Sequence, residues 1–112
     1  MERIKKYEKI IADVLKEYQS RFHQTSQNIS NHIIADDKNH HYQFLWLGWQ
    51  GNNQIFNVAF HIDILDGKIW IQRDNTETGI ANLLTERGIP KKDIVLAFYP
   101  PLHRELTEFA VG

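Results

Sequence analysis

The sequence predicts an α+β domain. Its core is an antiparallel sheet of about four to five strands, with an N-terminal helix and a second helix packed on one face, in the order α-β-β-β-β-α-β. Three observations carry this expectation. Apolar residues recur at three- and four-residue spacing from residue 3 to about residue 20. Four segments rich in β-branched and aromatic residues follow, joined by links too short for parallel crossovers. A second helical pattern then ends at Gly88, ahead of Ile89-Pro90, and a short apolar run comes after it.

In the first helix Ile4, Tyr7, Ile11, Val14, Leu15 and Tyr18 form one apolar stripe. Lys5, Lys9 and Lys16 fall close together on the opposite side. Such a stripe can touch phosphate, with Arg3 and Arg21 as further candidates, but Glu2 and Asp13 lie near it and a solvated face is the plainer reading. The stretch SRFHQTSQNISN breaks the period and favours loop.

Residues 29–36, 41–50, 54–65 and 68–73 read as successive strands, joined by DDKN, QGNN and DG. With Asp66-Gly67 as a two-residue turn, Asp63 faces Trp70, Ile62 faces Ile71 and His61 faces Gln72. Alternation then puts Phe56, Val58, Phe60, Ile62, Ile64, Ile69 and Ile71 on the core side. Asn57, His61, Asp63, Lys68, Trp70 and Gln72 share the other. Tyr42, Phe44 and Trp46 alternate with Gln43, Leu45, Leu47 and Trp49, so the second strand is apolar on both faces.

The second helix is expected from about Asp74 or Asn75 to Arg87. Asp74 and Glu77 have the spacing of a capping box, and Ile80, Leu83 and Leu84 form the buried stripe. DIVLAF reads as a short strand or extended segment, YPP forces a non-helical exit, and LHRELTEF adds a final helical turn.

Most acidic residues of HIDILDGKIWIQRDNTE thus have structural duties, which leaves His61 and Asp63. Two apart on a strand, they point the same way and can share a proton or a metal ion. A third ligand is not apparent, since His32, His40 and His41 have no fixed spacing to the pair. A metal-dependent hydrolase built on them is the weaker reading. The stronger one is a polar interaction surface of Trp49, His61, Asp63, Trp70 and Gln72. No nucleophile elbow, HExxH or phosphate-cradling loop is present, so no catalytic, cofactor-binding or metal residue is assigned.

At 112 residues the chain is one domain spanning 1–112. A formal net charge of −1 argues against a bulk field that would drive it onto nucleic acid, so DNA contact would need a local patch. The absence of cysteine removes disulfides, thiolate metal sites and a cysteine nucleophile, and fits the cytoplasm. The N-terminus MERIKKYEKI lacks the apolar core of a signal peptide, and no run is long enough to span a bilayer, so no membrane contact is expected. A second strand apolar on both faces and three tryptophans predict a homodimer, with Trp49 and Trp70 near the contact.

Through YEKIIADVLKEY, HYQFLWLGWQG, HIDILDGKIWIQRDNTETGIA, GIPKKDIVLAFYPP and TEFAVG, the sequence resembles the XisI family almost end to end. Its members, also called fdxN element excision controlling factors, are small cyanobacterial proteins associated with excision of a DNA element by a site-specific recombinase. They often stand beside a partner called XisH. The resemblance implies a non-enzymatic accessory factor in DNA recombination, partnered by a recombinase or an XisH-like protein, with no cofactor. Family members often have glycine where this chain has Asn75 and histidine where it has Tyr99.

Overall fold

A computed structural model describes residues 2–22 and 28–112. The chain runs α1 (Glu2–Ser20), β1 (Ile29–Asp36), β2 (His41–Gln50), β3 (Asn53–Leu65), β4 (Lys68–Asp74) and α2 (Ile80–Glu86). A 3-10 turn (Lys91–Asp93), β5 (Ile94–Leu96) and the short α3 (Pro101–Arg104) complete it. The sheet is ordered β1-β2-β3-β4-β5. The predicted α+β order therefore holds, and the four strand boundaries fall within a residue of expectation. Residues 23–27 of the expected loop lie outside the described residues.

The apolar stripes explain the layers. Tyr7, Ile10, Ile11, Val14 and Leu15 of α1 and Ile80, Ala81, Leu83 and Leu84 of α2 join Tyr42, Phe44, Phe60, Ile62, Ile64, Ile69 and Ile71 in one cluster. Both helices thus lie on one face of the sheet. Aromatic edges lock the layer, with the Tyr18 ring edge-on to Phe44 and Phe60 at 4.9 and 5.4 Å. Between β3 and β4, Asp66 and Gly67 both take positive φ (53° and 78°), as a type I′ turn requires.

Three expectations need correction. The sheet is not wholly antiparallel: β5 pairs parallel to β4, because α2 returns the chain across the sheet before it re-enters. Helix α2 starts at Ile80, later than expected, because β4 continues pairing through Asp74 and Gly79 turns the chain with φ of 83°. Asp74 still serves the helix start: its Oδ2 accepts the Ile80 N–H at 2.8 Å, while Oδ1 accepts the Thr76 N–H and hydroxyl. Glu77 is exposed and takes no part. At the other end, Gly88 N–H bonds the Thr85 carbonyl and Ile89 N–H the Leu84 carbonyl, a Schellman closure.

The third correction matters most for the site. The β2–β3 register shifts by one residue between Phe44 and Leu45, leaving Ala59 as an extra residue on β3. Below the bulge, Leu47 pairs with Phe56 and Leu45 with Val58, so these two β3 side chains leave the helix-covered face; Phe56 is 65% exposed. A second shift sets His61 opposite Arg73 rather than Gln72. Beside the first bulge, the Asn75 N–H bonds the Ala59 carbonyl and its side-chain amide bonds the Val58 carbonyl, continuing the β3–β4 contact past Asp74.

One buried polar pair ties α1 to the turn before β5. The Tyr7 hydroxyl donates to Asp93 Oδ2 at 2.5 Å, and both residues are buried. Burial, then the bond to Asp93, push the Tyr7 hydroxyl up to about 12. A raised pKa means that the folded state holds this proton more tightly than the unfolded chain does. The contribution is therefore complete below about pH 10 and lost as pH rises toward 12. Tyr7→Phe is expected to cost about 1.5–3 kcal/mol at neutral pH, since it strips a buried carboxylate of its donor. Urea midpoints followed from pH 9 upward should also decline less steeply in the variant. Tyr18 and Tyr42, likewise pushed up by burial, keep some alkaline loss in place. Parallel pH profiles for the two proteins would refute this role for Tyr7.

Candidate functional site

The sheet face turned away from α1 and α2 carries every residue of the expected interaction surface, but not as one patch. His61 and Asp63 lie toward the C-terminal end of β3, with Trp70 of β4 paired to Asp63. Trp49 lies six positions beyond Gln43 on β2, which is roughly 20 Å at ~3.3 Å per residue. It is 52% exposed near the β2–β3 turn. The face thus divides into a polar centre and an apolar end, where Trp49 accompanies Leu47, Val58 and Phe56.

The polar centre follows from the bulge. Beyond it, His41 pairs with Asp63 and Gln43 with His61, so all four side chains share the open face. His41 Nδ1 lies 2.7 Å from Asp63 Oδ1 and His61 Nε2 2.8 Å from the same oxygen. Gln43 Oε1 sits 2.8 Å from His61 Nδ1, and Gln72 Nε2 donates to Asp63 Oδ2 at 3.3 Å. Burial pushes the Asp63 carboxyl up, but the hydrogen bonds from His41 and His61 outweigh it and hold the group below its ordinary range. The Asp63 bond in turn pushes His41 up.

Sequence reasoning found His61, Asp63 and Gln72 but not His41 or Gln43. Counting back from a two-residue Gly51-Asn52 turn places His41 opposite Ile62, on the wrong face. Only the extra residue at Ala59 brings His41 opposite Asp63.

The tryptophans separate. Trp46 packs on the core and against Phe22, with ring centroids 4.9 Å apart. Trp70 is half-buried: its indole N–H donates to the Leu65 carbonyl at 3.2 Å, and the Arg104 guanidinium lies 5.6 Å from its ring. The C-terminal segment also exposes Leu102 and Leu106, at 80% and 86%.

On α1, Lys5, Lys9 and Lys16 are all exposed. Lys9 pairs with Asp13 at 3.3 Å, while neither Lys5 nor Lys16 has an ion-pair partner among the described residues. Arg21 pairs with Glu17. Among the described residues, no helix is long and apolar enough to cross a membrane.

Comparison with known proteins adds an independent line. The model of the XisI protein family matches residues 1–111. A XisI-like protein of Anabaena variabilis superposes with a TM-score of 0.91 at 36% identity, covering 97% of this chain and 99% of that one. The fdxN element excision controlling factor XisI of the same organism superposes with a TM-score of 0.87 at 31% identity, covering 98% and 99%. Among curated proteins, none matches.

Proposed function

The chain belongs to the XisI family, and from that membership we propose that it is a non-enzymatic accessory factor controlling excision of a DNA element. One observation carries the reading: end-to-end likeness, in fold and at 31% identity, to a protein named as an excision controlling factor. It works in the cytoplasm by contact with a recombinase or an XisH-like partner. The open sheet face and the C-terminal pair Leu102 and Leu106 offer the exposed apolar area such contacts use.

The expected result is co-elution of the purified chain with its recombinase or XisH-like partner, and loss of the complex in a Leu102→Lys/Leu106→Lys variant that keeps its fold. Both leucines are so exposed that the change should move stability by no more than about 0.5 kcal/mol. No complex with either partner over a range of salt would sink the reading. A complex that survives the double substitution would move the contact off the C-terminal segment.

The chain also associates with itself in this reading, as a homodimer through the apolar end of the open face. Phe56 is a cleaner probe of that contact than Trp70, which is tied to its own C-terminal segment. Light scattering showing a mass near 13.2 kDa would refute the dimer. Direct DNA contact through Lys5, Lys9 and Lys16 is a second reading, favoured by their exposure along one helix. It requires affinity that falls steeply with salt as counterions are released. Negligible binding at low salt would end it.

A further inference from the structure

We propose that His41, His61 and Asp63 form a binding site for a single divalent transition-metal ion of the zinc class. This is independent of whether the chain controls excision. One ligand atom from each of the three residues lies within 4.8 Å of those of the other two. Two imidazoles and a carboxylate are the donor set that zinc favours, whereas magnesium and calcium prefer oxygen donors throughout.

The present spacing is tighter than a metal needs. Bonds of 2.0–2.2 Å in a tetrahedron put the donors about 3.3 Å apart. Each histidine therefore has to back away from Asp63 Oδ1 by about half an ångström. The outer partners favour the loaded arrangement. Gln43 Oε1 accepts from His61 Nδ1, which fixes the ring and leaves Nε2 as the nitrogen that faces the centre. Gln72 orients the other carboxylate oxygen.

The supports are rigid. The three ligands stand on the paired central strands β2 and β3, in positions set by the bulge. Side-chain exposures of 57%, 26% and 20% for His41, His61 and Asp63 leave the fourth position open to water or to a donor from a docked partner. Of the other described histidines, His40 contacts Glu8, His32 contacts Ser30, and His103 stands on α3.

The test is titration of the metal-free full chain with zinc alone, read by calorimetry and native mass spectrometry. One ion per chain at micromolar zinc is expected, with no uptake of magnesium at the same concentration. His61→Ala and Asp63→Ala should each weaken zinc at least about 100-fold, and Gln43→Ala, which keeps every ligand, by about 10-fold or more. His32→Ala should bind as wild type does. The ligands lie off the core, and circular dichroism verifies that each variant is folded. No saturable zinc uptake would overturn the site. Unchanged uptake in a folded His61→Ala/Asp63→Ala protein would mean an adventitious ion only and would equally overturn it.

Discussion

Phe44→Ala is expected to lower the free energy of unfolding by about 3–5 kcal/mol, the range for emptying a buried aromatic position. Phe44 is fully buried and central. Its ring stacks on Phe60 at 5.9 Å and meets the edges of Tyr18 and Trp46 at 4.9 and 5.9 Å. Removing it takes away the surface on which α1 rests and leaves a void between layers that cannot collapse without moving the bulge beside it. Chemical denaturation should show a lowered midpoint with an unchanged m-value. Trp49→Ala, at an exposed position, should cost far less. A Phe44→Ala loss under about 1 kcal/mol, the centre of the range for ordinary substitutions, would mean that this core is not packed as described.

Gly48→Ala is expected to cost at least about 3 kcal/mol, from a backbone clash added to strain. Gly48 has φ of 147°, and an added Cβ would stand 1.9 Å from the Asn28 carbonyl oxygen and 2.7 Å from Ile29 Cα. Those are backbone atoms, and the same carbonyl accepts the Trp49 N–H at 2.9 Å, so neither side has room to yield without breaking the start of the β1–β2 pairing. Gly51 supplies the control. Its φ is 61°, with nothing within 4 Å of the added atom, so Gly51→Ala pays only the roughly 1–2 kcal/mol left-handed penalty. Equal losses in the two variants, measured by the same denaturation, would show that close approach at Gly48 is not what demands glycine.

The effects differ in how far they were visible beforehand. Phe44 belongs to an alternation any reader of HYQFLWLGWQ can follow, so which residues share its face was legible, but not that this is the helix-covered face, since β2 is apolar on both sides. Gly48 was not legible: a glycine inside a strand signals a bulge or a close approach, but not which chain approaches. That depends on β1 crossing Gly48 at Asn28 and Ile29.

Local chemistry determined most of the architecture. Helix α1 followed from its 3.6-residue stripe and four strands from period two. The β3–β4 register followed from Asp66-Gly67 as far as Ile62 opposite Ile71, because a I′ turn leaves one pairing available. It also singled out His61 and Asp63, which alternation alone sets on one face.

What tertiary structure decided is the single extra residue at Ala59 and everything downstream of it. No local pattern announces that bulge, whose neighbouring carbonyls at Val58 and Ala59 accept from Asn75, beyond the far end of β4. A one-residue slip exchanges the two faces of a strand. Here it moves Phe56 and Val58 out of the helix-covered layer and carries His41 and Gln43 to His61 and Asp63. The residue types of the polar centre were plain in the chain. Their meeting depends on a strand register that only folding sets.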